Sequence, residues 1–336
     1  MKSFIRAISY YLPTNVLDND KINIEFPEWP SQKIIEKTGI RNRFISDINQ
    51  TSGDMAIEVA KKLFAEHNIE KNLIDYIILC TQSPDYFLPT TACIIQDKLG
   101  LSTTTGAIDI NLGCSGYIYG LGLAKGLIHS QQAKNVLLIT SETYSKFIHP
   151  SDKGNRTIFG DAAAATLISS ETGFAEIMDF QYGTDGKGAE NLIVRNRGLR
   201  NFSTFAHGPV SNTDEYNPDD FLYMNGQEIF LFTLASVPNL ILETLNKNML
   251  NKGDIDLYIF HQANKFMLDS LKKKSAIEND KFYMHIEDCG NTVSSTIPIA
   301  LYHAKIENKL FKGNHILLAG FGVGYSWGGT ILKIIF

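Results

Sequence analysis

Short apolar runs alternate along the chain with longer segments of helical periodicity. Residues 76–79 (YIIL) and 136–139 (VLLI) have no polar interruption, which predicts two buried strands. Apolar side chains at helical spacing predict a helix over residues 55–64. Residues 117–128 are apolar on most sides, so we expect this helix to lie inside the protein. Alternating strands and helices are typical of an α/β protein.

The chain contains an internal repeat. Residues 74–78 (IDYII) resemble residues 255–259 (IDLYI), and residues 136–140 (VLLIT) resemble residues 316–320 (ILLAG). Between these runs, Gly113-Cys114 corresponds to Gly290-Asn291, and all three pairs are separated by about 180 residues. Each half therefore has a strand, a glycine turn into a helix, and another strand.

The repeat also suggests how the chain is divided. We expect an N-terminal half over residues 1–172 and a C-terminal half over residues 173–336. A long polar segment, at about residues 183–220, has few periodic apolar positions, and we expect it to be an excursion on the surface of the second half.

The stretch DINLGCSGYIYGL, residues 109–121, places Cys114 where a glycine turn enters the apolar helix. A helix N-terminus carries partial positive charge and free N–H groups, so we expect the pKa of this thiol to fall below its ordinary value. Iodoacetamide should then label Cys114 ahead of Cys80, Cys93 and Cys289, which show no metal-ligand spacing and predict free thiols in the core. For a lone cysteine, a buried apolar role is the commoner alternative.

Two other polar residues lie at strand ends or helix starts of the repeat. His261 follows the repeated strand in FHQAN, and Asn291 follows Gly290 in GNT. A structural histidine and a helix-capping asparagine are the ordinary interpretations of such residues. However, the active sites of α/β proteins collect at these positions, and packing of the halves about a pseudo-twofold axis would let the two helix starts face each other. The sequence therefore predicts a Cys/His/Asn site without a catalytic acid or a metal.

Composition excludes several other classes of protein. The 336 residues are 44% hydrophobic and 20% charged, as in a globular protein with a large core, and the net charge is only -5. One short basic run, residues 272–274, does not indicate a nucleic-acid partner. The first residues lack the apolar core of a signal peptide, and no apolar stretch reaches the roughly 18 residues of a membrane helix. We expect a cytoplasmic protein without a membrane partner.

Together, the motifs resemble those of the β-ketoacyl-acyl carrier protein synthase III family, in the thiolase superfamily. The matching stretches are TGIR (38–41), the block around Cys114, IFGDA (158–162), HQAN (261–264), GNT (290–292) and GFGVGYSWGG (320–329). The resemblance implies an α/β thiolase fold, five-layered α/β/α/β/α and built from two duplicated halves. It also implies a homodimer that uses acyl-CoA and malonyl-acyl carrier protein as substrates and binds no cofactor.

The resemblance also implies a reaction and a role for each residue. Cys114 would take an acyl group from a CoA or carrier-protein thioester, and a malonyl thioester would then decarboxylate and condense with it. His261 and Asn291 would donate hydrogen bonds to the enolate, and the backbone N–H groups of Cys114 and Val323 would form the oxyanion hole. Leu88 of one subunit would close the acyl pocket of the other.

Three departures from the family pattern surround this site. Val323 replaces a glycine, Lys33 replaces a tryptophan that stacks on the CoA adenine, and Phe266 replaces a carrier-docking arginine. Lys265 is then the candidate residue for carrier docking. The departures leave open an acyltransferase that passes its acyl group to an oxygen or nitrogen of a specialised substrate. A non-catalytic partner subunit is a third alternative, and the complete Cys/His/Asn set argues against it.

Overall fold

The computed structural model describes residues 2–201 and 217–336. Its strands are β1 (Phe4–Tyr11), β2 (Asn15–Asp18), β3 (Asn42–Ile45), β4 (Tyr76–Cys80), β5 (Gly106–Ile110), β6 (Asn135–Glu142), β7 (Ala162–Ser169), β8 (Ala175–Thr184), β9 (Leu192–Ile193), β10 (Tyr223–Met224), β11 (Leu257–Phe260), β12 (Phe282–Tyr283), β13 (His315–Gly322) and β14 (Ser326–Ile334). Its α-helices are α1 (Asn19–Glu25), α2 (Ser31–Thr38), α3 (Ser52–His67), α4 (Thr91–Leu99), α5 (Gly116–His129), α6 (Lys153–Arg156), α7 (Gly226–Lys247), α8 (Lys265–Lys274) and α9 (Thr296–Ile306). The strands and helices predicted from apolar periodicity are confirmed as β4, β6, α3 and α5.

Ten strands form one sheet, in the order β12-β11-β13-β14-β8-β1-β7-β6-β4-β5. The sheet divides at the contact between β8 and β1 into two runs of five strands. Counted outward from this contact, β13 occupies the same position in one run as β6 in the other, and β11 the same position as β4. The halves join where Phe4 and Ile5 pair antiparallel with Glu176 and Ala175. The strand order therefore repeats as the sequence repeat predicts. The boundary at residues 172 and 173 stays a prediction.

The helices pack on both faces of each half-sheet and make five layers. Alternate residues of β6 face opposite ways: Val136 packs with α5 and α9, and Leu137 packs with α3 and α4. In β13, Ile316 shares the α5 and α9 layer, and Leu317 packs with α7 and α8. The layers are thus α3/α4, half-sheet, α5/α9, half-sheet and α7/α8. This is the predicted five-layered arrangement, with α5 inside the protein as expected.

The polar segment at about residues 183–220 is only partly the surface excursion that the sequence predicts. Its first residues belong to β8, and Gly186–Asn191 form a 3₁₀ helix that leads into β9. β9 pairs with β10, and Leu192 is buried. Residues 202–216 lie outside the described residues. Pairing and burial of the flanking backbone therefore tie part of this segment to the core.

The expectation that no segment is apolar enough to span a membrane is wrong for α7. This helix has the length and the composition of a membrane span. Its residues Val237, Leu240 and Ile241 are buried in the outer layer against β13 and β14. A core helix passes the same test of length and composition, so packing on the sheet accounts for the apolar face of α7.

Candidate active site

The end of β13 lies against two of the three residues predicted to form the site, and hydrogen bonds connect the third to one of them. Cys114 lies between β5 and α5, and the Gly322 backbone lies directly against its side chain. The ring of Phe321 packs edge-on against His261, with centroids 5.7 Å apart. Hydrogen bonds through residues 293 and 296 then connect His261 to Asn291. The three residues come from two halves of the sheet, and all three side chains are buried.

The direction predicted for the pKa of Cys114 is wrong. Burial, with a smaller contribution from the negative charge of Glu142, raises the pKa of this thiol to about 12. The backbone N–H groups of Cys114 and Val323 oppose this by favouring the thiolate. Desolvation outweighs them because the side chain is only 7% exposed. Cys114 is therefore a thiol in the free protein at neutral pH, and its activation requires a proton acceptor.

Two glycines of the C-terminal motif make room for the Cys114 turn. A Cβ at Gly320 would lie 2.9 Å from the Cys114 carbonyl oxygen. A Cβ at Gly322 would lie 2.8 Å from the Cys114 Cβ and 3.0 Å from its sulfur. Both separations are shorter than a side chain permits. These two glycines of the GFGVGYSWGG motif thus have a steric reason, because β13 approaches the Cys114 turn closely.

His261 is held as a neutral imidazole. Burial lowers its pKa to about 3, so the imidazole ring is uncharged at neutral pH. Its Nδ1 lies 2.8 Å from the Thr296 hydroxyl, which donates to the Val293 carbonyl oxygen at 3.0 Å. Because the hydroxyl proton is used there, the hydroxyl accepts from Nδ1–H, and Nε2 carries the free lone pair. Sequence reasoning missed Thr296, which lies 35 residues along the chain from His261.

Val293 orients Asn291 as well. The Val293 N–H donates to the Asn291 side-chain oxygen at 2.9 Å, so the amide presents its NH₂ group as a donor. Val293 has a φ of 55°, a left-handed conformation that is costly for a β-branched residue. Through its N–H and its carbonyl oxygen, this one residue positions both Asn291 and, through Thr296, His261. Asn291 precedes α9 by five residues, with a 3₁₀ turn (Val293–Ser295) between them, so it is not the cap of the helix.

Glu142 is a buried carboxyl beside the site that sequence reasoning missed. Burial raises its pKa to about 8, although the Gln82 N–H and the hydroxyls of Ser294 and Ser83 lower it. The Ser294 hydroxyl donates to Glu142 at 2.9 Å, and Ser83 donates at 3.2 Å. The carboxyl thus connects the turn before α9 with the loop after β4, and its position at the end of a fully buried strand is the only signal in the sequence.

The polar side chains of HQAN have different hydrogen-bond partners. The side-chain oxygen of Gln262 accepts a hydrogen bond from the His285 backbone N–H at 2.8 Å, and its side-chain NH₂ group donates to the Phe260 carbonyl oxygen. Asn264 caps α8 by accepting the Met267 N–H. His261 is the residue of this motif whose side chain joins the Asn291 network. Gln262 and Asn264 therefore fix the loops on either side of it.

Two clefts approach the buried residues. A cleft of about 1240 Å³ is lined by Trp29, Lys265, Phe266, Ile158 and Asn264, and the Ile158 carbonyl oxygen accepts the Asn291 backbone N–H. Lys265 and Phe266 are exposed, and the Phe266 ring stacks on Phe230. Trp29 lies beside Lys33, whose ammonium group is 5.7 Å from the ring centroid.

A second cleft, of about 980 Å³, lies near the nucleophile. It is lined by Tyr86, Phe87 and Gln82, and the Gln82 side chain borders Gly113. Leu88 is 83% exposed and is not among the residues that line either cleft of its own chain.

The labelling order expected for the cysteines changes with the structure. Cys93 lies on α4 and is exposed, contrary to the core position predicted for it, whereas Cys114 is buried. At pH 7.5 we expect iodoacetamide to modify Cys93 before Cys114. Because the Cys114 pKa is about 12, its thiolate fraction should rise tenfold per pH unit between pH 7 and 10, and its alkylation rate should rise with it.

Peptide mass spectrometry at several pH values measures the alkylation rates of Cys93 and Cys114. Cys93→Ser is the control, because it removes the cysteine that we expect to react faster. A rate at Cys114 that exceeds that at Cys93, or that does not change with pH, would contradict this assignment.

Family models match the regions that hold these residues. The model described as 3-oxoacyl-[acyl-carrier-protein (ACP)] synthase III matches residues 108–186, and the model of its C-terminal part matches residues 245–334.

Curated relatives match nearly the whole chain. The β-ketoacyl-[acyl-carrier-protein] synthase III of Clostridium perfringens is 38% identical over 324 residues, which are 96% of this chain and 97% of the relative. The enzyme of the same name from Caldanaerobacter subterraneus is 34% identical over 96% of this chain and 95% of the relative.

Solved structures agree with these matches. A 2.1 Å crystal structure of a 3-oxoacyl-(acyl-carrier-protein) synthase III superposes with a TM-score of 0.93 and 46% identity, covering 99% of this chain and all of the other. A 3-oxoacyl-(acyl-carrier protein) synthase from Burkholderia xenovorans gives a TM-score of 0.90 at 34% identity, covering 100% of this chain and 95% of the other.

Proposed function

The chain belongs to the 3-oxoacyl-[acyl-carrier-protein] synthase III family, and on that premise we propose roles for its buried residues. It has the thiolase fold and is an acyltransferase that condenses acyl groups in fatty-acid biosynthesis. The observation that most supports the proposed roles is the hydrogen-bond network through which Val293 connects the side chains of His261 and Asn291. Neutral polar groups suit a developing enolate, which a carboxylate would repel.

The first half-reaction loads the acyl group. The Cys114 thiol passes its proton to Nε2 of His261 as the sulfur attacks the thioester carbonyl carbon. The oxyanion of the tetrahedral intermediate accepts hydrogen bonds from the backbone N–H groups of Cys114 and Val323, which already face the sulfur. Collapse of the intermediate breaks the bond to the leaving thiolate, which takes the proton from His261. The acyl group remains on Cys114.

The second half-reaction condenses that group with a malonyl thioester. Loss of carbon dioxide leaves an enolate, and the Asn291 NH₂ group and Nε2–H of His261 donate to its oxygen. For this step, His261 gains a solvent proton at Nε2 and gives up its Nδ1 proton to solvent, and the Thr296 hydroxyl turns to donate to Nδ1. The enolate carbon attacks the acyl carbonyl, the bond to the Cys114 sulfur breaks, and the expelled thiolate takes a proton from solvent. Thr296 acts as a positioning residue throughout.

The two clefts suit two parts of the substrates. The first cleft has an aromatic ring, Trp29, close to the ammonium groups of Lys33 and Lys37, as an adenine nucleotide bearing phosphates requires. Lys265 at its rim is the candidate for docking acyl carrier protein. We assign the acyl chain to the side of Cys114 that faces Gln82 and the second cleft. Acyl-CoA or acyl-carrier protein as donor, and malonyl-carrier protein as acceptor, follow from this assignment.

The proposed function is tested by separating the half-reactions in the wild-type protein. Intact-mass analysis with a panel of acyl-CoAs and acyl-carrier proteins should show one acyl group, and peptide mapping should place it on Cys114. Carbon dioxide release from malonyl-carrier protein should follow. If the protein loads acyl groups but never decarboxylates a malonyl thioester, the acyltransferase alternative replaces the condensing reaction. Failure to load any acyl group would leave the non-catalytic subunit.

We also propose that the protein is a cytoplasmic homodimer. Leu88 lies in an exposed apolar loop with Tyr86 and Phe87, and β5 is an edge strand of the sheet. An open sheet edge beside exposed apolar side chains suits pairing with a second copy. Leu88 would then enter the acyl pocket of the partner.

Leu88→Ala should let the enzyme accept longer or branched acyl groups while it stays folded. The side chain is exposed in the single chain, so its loss removes little core packing. The panel of acyl-CoAs measures the preference, and Ile24→Ala, at a similarly exposed position, should leave it unchanged. A monomer at micromolar concentration in sedimentation would contradict the dimer. An unchanged acyl preference in Leu88→Ala would contradict the role of Leu88.

A further inference from the structure

A cluster of two imidazoles and a carboxylate lies outside the proposed active site. His285 belongs to the loop between β12 and Gly290, His303 lies on α9, and Glu307, four residues later, is the C-terminal cap of that helix. Residues at this spacing share one face of a helix. One ligand atom from each residue lies within 4.8 Å of the other two. The sequence hides this set, because the loop and the helix meet only in the folded protein.

Both imidazoles are available as neutral ligands. Their rings stack with centroids 3.6 Å apart. Burial lowers the pKa of His285, and burial together with His285 lowers the pKa of His303 to about 4. Each ring therefore offers a lone pair at neutral pH, as metal binding requires. The Glu307 carboxylate, which acts to raise both pKa values, supplies the negative charge.

Contacts outside the cluster position two of these residues. Nε2 of His303 lies 3.1 Å from the Tyr10 hydroxyl, so Nε2–H can donate to it, which leaves the Nδ1 lone pair for a metal ion. Gln262 fixes the His285 backbone by accepting its backbone N–H at 2.8 Å. Burial and the Glu307 carboxylate raise the pKa of Tyr283.

We propose that His285, His303 and Glu307 bind one divalent transition-metal ion of the zinc class. Two nitrogens and one oxygen with an open position suit zinc, whereas magnesium and calcium prefer oxygen ligands alone. Bonds of about 2.1 Å place tetrahedral ligands about 3.4 Å apart, so any of these atoms that lie farther apart must move together when the ion binds. The exposed Glu307 side chain can supply part of this movement. One imidazole must also turn out of the stack, because lone pairs of parallel rings do not converge.

The ion would join the loop of residues 285–289 to α9. Gly290 and Asn291 follow this loop directly, and Val293 lies between Asn291 and α9. The ion would therefore fix the segments on both sides of the Asn291 turn, which are the loop before it and the helix after it. The ion would not contact the reacting atoms. Its expected effect is to stabilise the folded protein, since binding to the native state alone raises its stability.

Titration of ZnCl₂ into the EDTA-treated full-length protein tests the proposal by calorimetry. We expect one equivalent to bind with micromolar or tighter affinity, a rise in Tm of several degrees, and no binding of MgCl₂. Glu307→Gln and His303→Gln should each weaken zinc binding at least tenfold. His129→Gln, at an exposed position on α5, should bind as the wild type does. Glu307 is exposed, so its variant should fold even if His303→Gln does not.

Four outcomes would overturn the site. These are no zinc binding, wild-type affinity in Glu307→Gln, equal binding of magnesium, and binding that only Cys114→Ser abolishes. The last result would place zinc on the nucleophile. A rotated imidazole should also appear as a changed ring shift for His285 or His303 in the NMR spectrum on zinc addition, with His129 unchanged.

Discussion

Asn291→Ala should still load an acyl group on Cys114, but it should release carbon dioxide from malonyl-carrier protein about a hundredfold more slowly. The Asn291 side chain accepts the Val293 N–H and presents its NH₂ group to the site, so its removal deletes one enolate donor. A hundredfold loss corresponds to about 2.7 kcal/mol of transition-state stabilisation. Loading should persist because the thiol, His261 and the two backbone N–H groups are unchanged.

The two half-reactions are measured separately, by intact mass for loading and by carbon dioxide release for decarboxylation. His261→Ala is the informative comparison, because it should slow both steps by removing the proton acceptor of Cys114. Equal losses in the two steps of Asn291→Ala would show that Asn291 supports the fold of the site rather than the enolate.

The neutral His261 adds a pH test. With a pKa of about 3, it should add no acidic limb to the rate between pH 5 and 8.

Gly322→Ala should reduce the rate of acyl loading about a hundredfold while the protein stays folded. The added methyl group would lie 2.8 Å from the Cys114 Cβ and 3.0 Å from its sulfur, so the nucleophile must move. A displacement of an ångström at a reacting atom costs a rate of this order. Gly322 does not have a positive φ, so alanine can adopt its backbone conformation.

Single-turnover loading of acyl-CoA, followed by mass, measures the effect of Gly322→Ala. Gly126→Ala is the matched control. No atom lies within 4 Å of its added Cβ, and replacing a glycine within a helix should stabilise α5 by about 0.5–1 kcal/mol. Wild-type loading in Gly322→Ala would show that the Cys114 turn has more room than the structure indicates. A lower Tm with normal loading would show that the added methyl group strains the fold without displacing the Cys114 sulfur.

Features that depend on neighbouring residues in the chain could be predicted from the sequence. Uninterrupted apolar runs predicted β4 and β6, and helical periodicity predicted α3 and α5. The repeat predicted two equivalent strand orders, because a duplicated pattern of strand, turn and helix folds twice in the same way. The sequence also selected Cys114, His261 and Asn291 as candidates. Strand ends and helix starts are encoded locally, by glycine turns and by the ends of apolar runs.

The protonation and accessibility of these residues could not be predicted in the same way. The local argument at Cys114 used the helix N-terminus and gave the wrong direction for the pKa, because burial and Glu142 outweigh it. The exposure of Cys93 and the packing of α7 on the sheet likewise depend on which neighbours cover each side chain. Desolvation is set by these neighbours, which are distant along the chain, so periodicity does not report it.

The sequence by itself determined that the chain is a duplicated α/β protein with a cysteine, a histidine and an asparagine at equivalent strand ends and turns. Only the tertiary structure decided what state those residues are in. Val293 and Thr296 set the orientation of Asn291 and the tautomer of His261, and Gly322 admits the Cys114 side chain. The physical reason is that strand and helix patterns arise from interactions between close neighbours in the chain. Hydrogen-bond direction, burial and steric room at the site arise between segments that meet only when the two halves pack together.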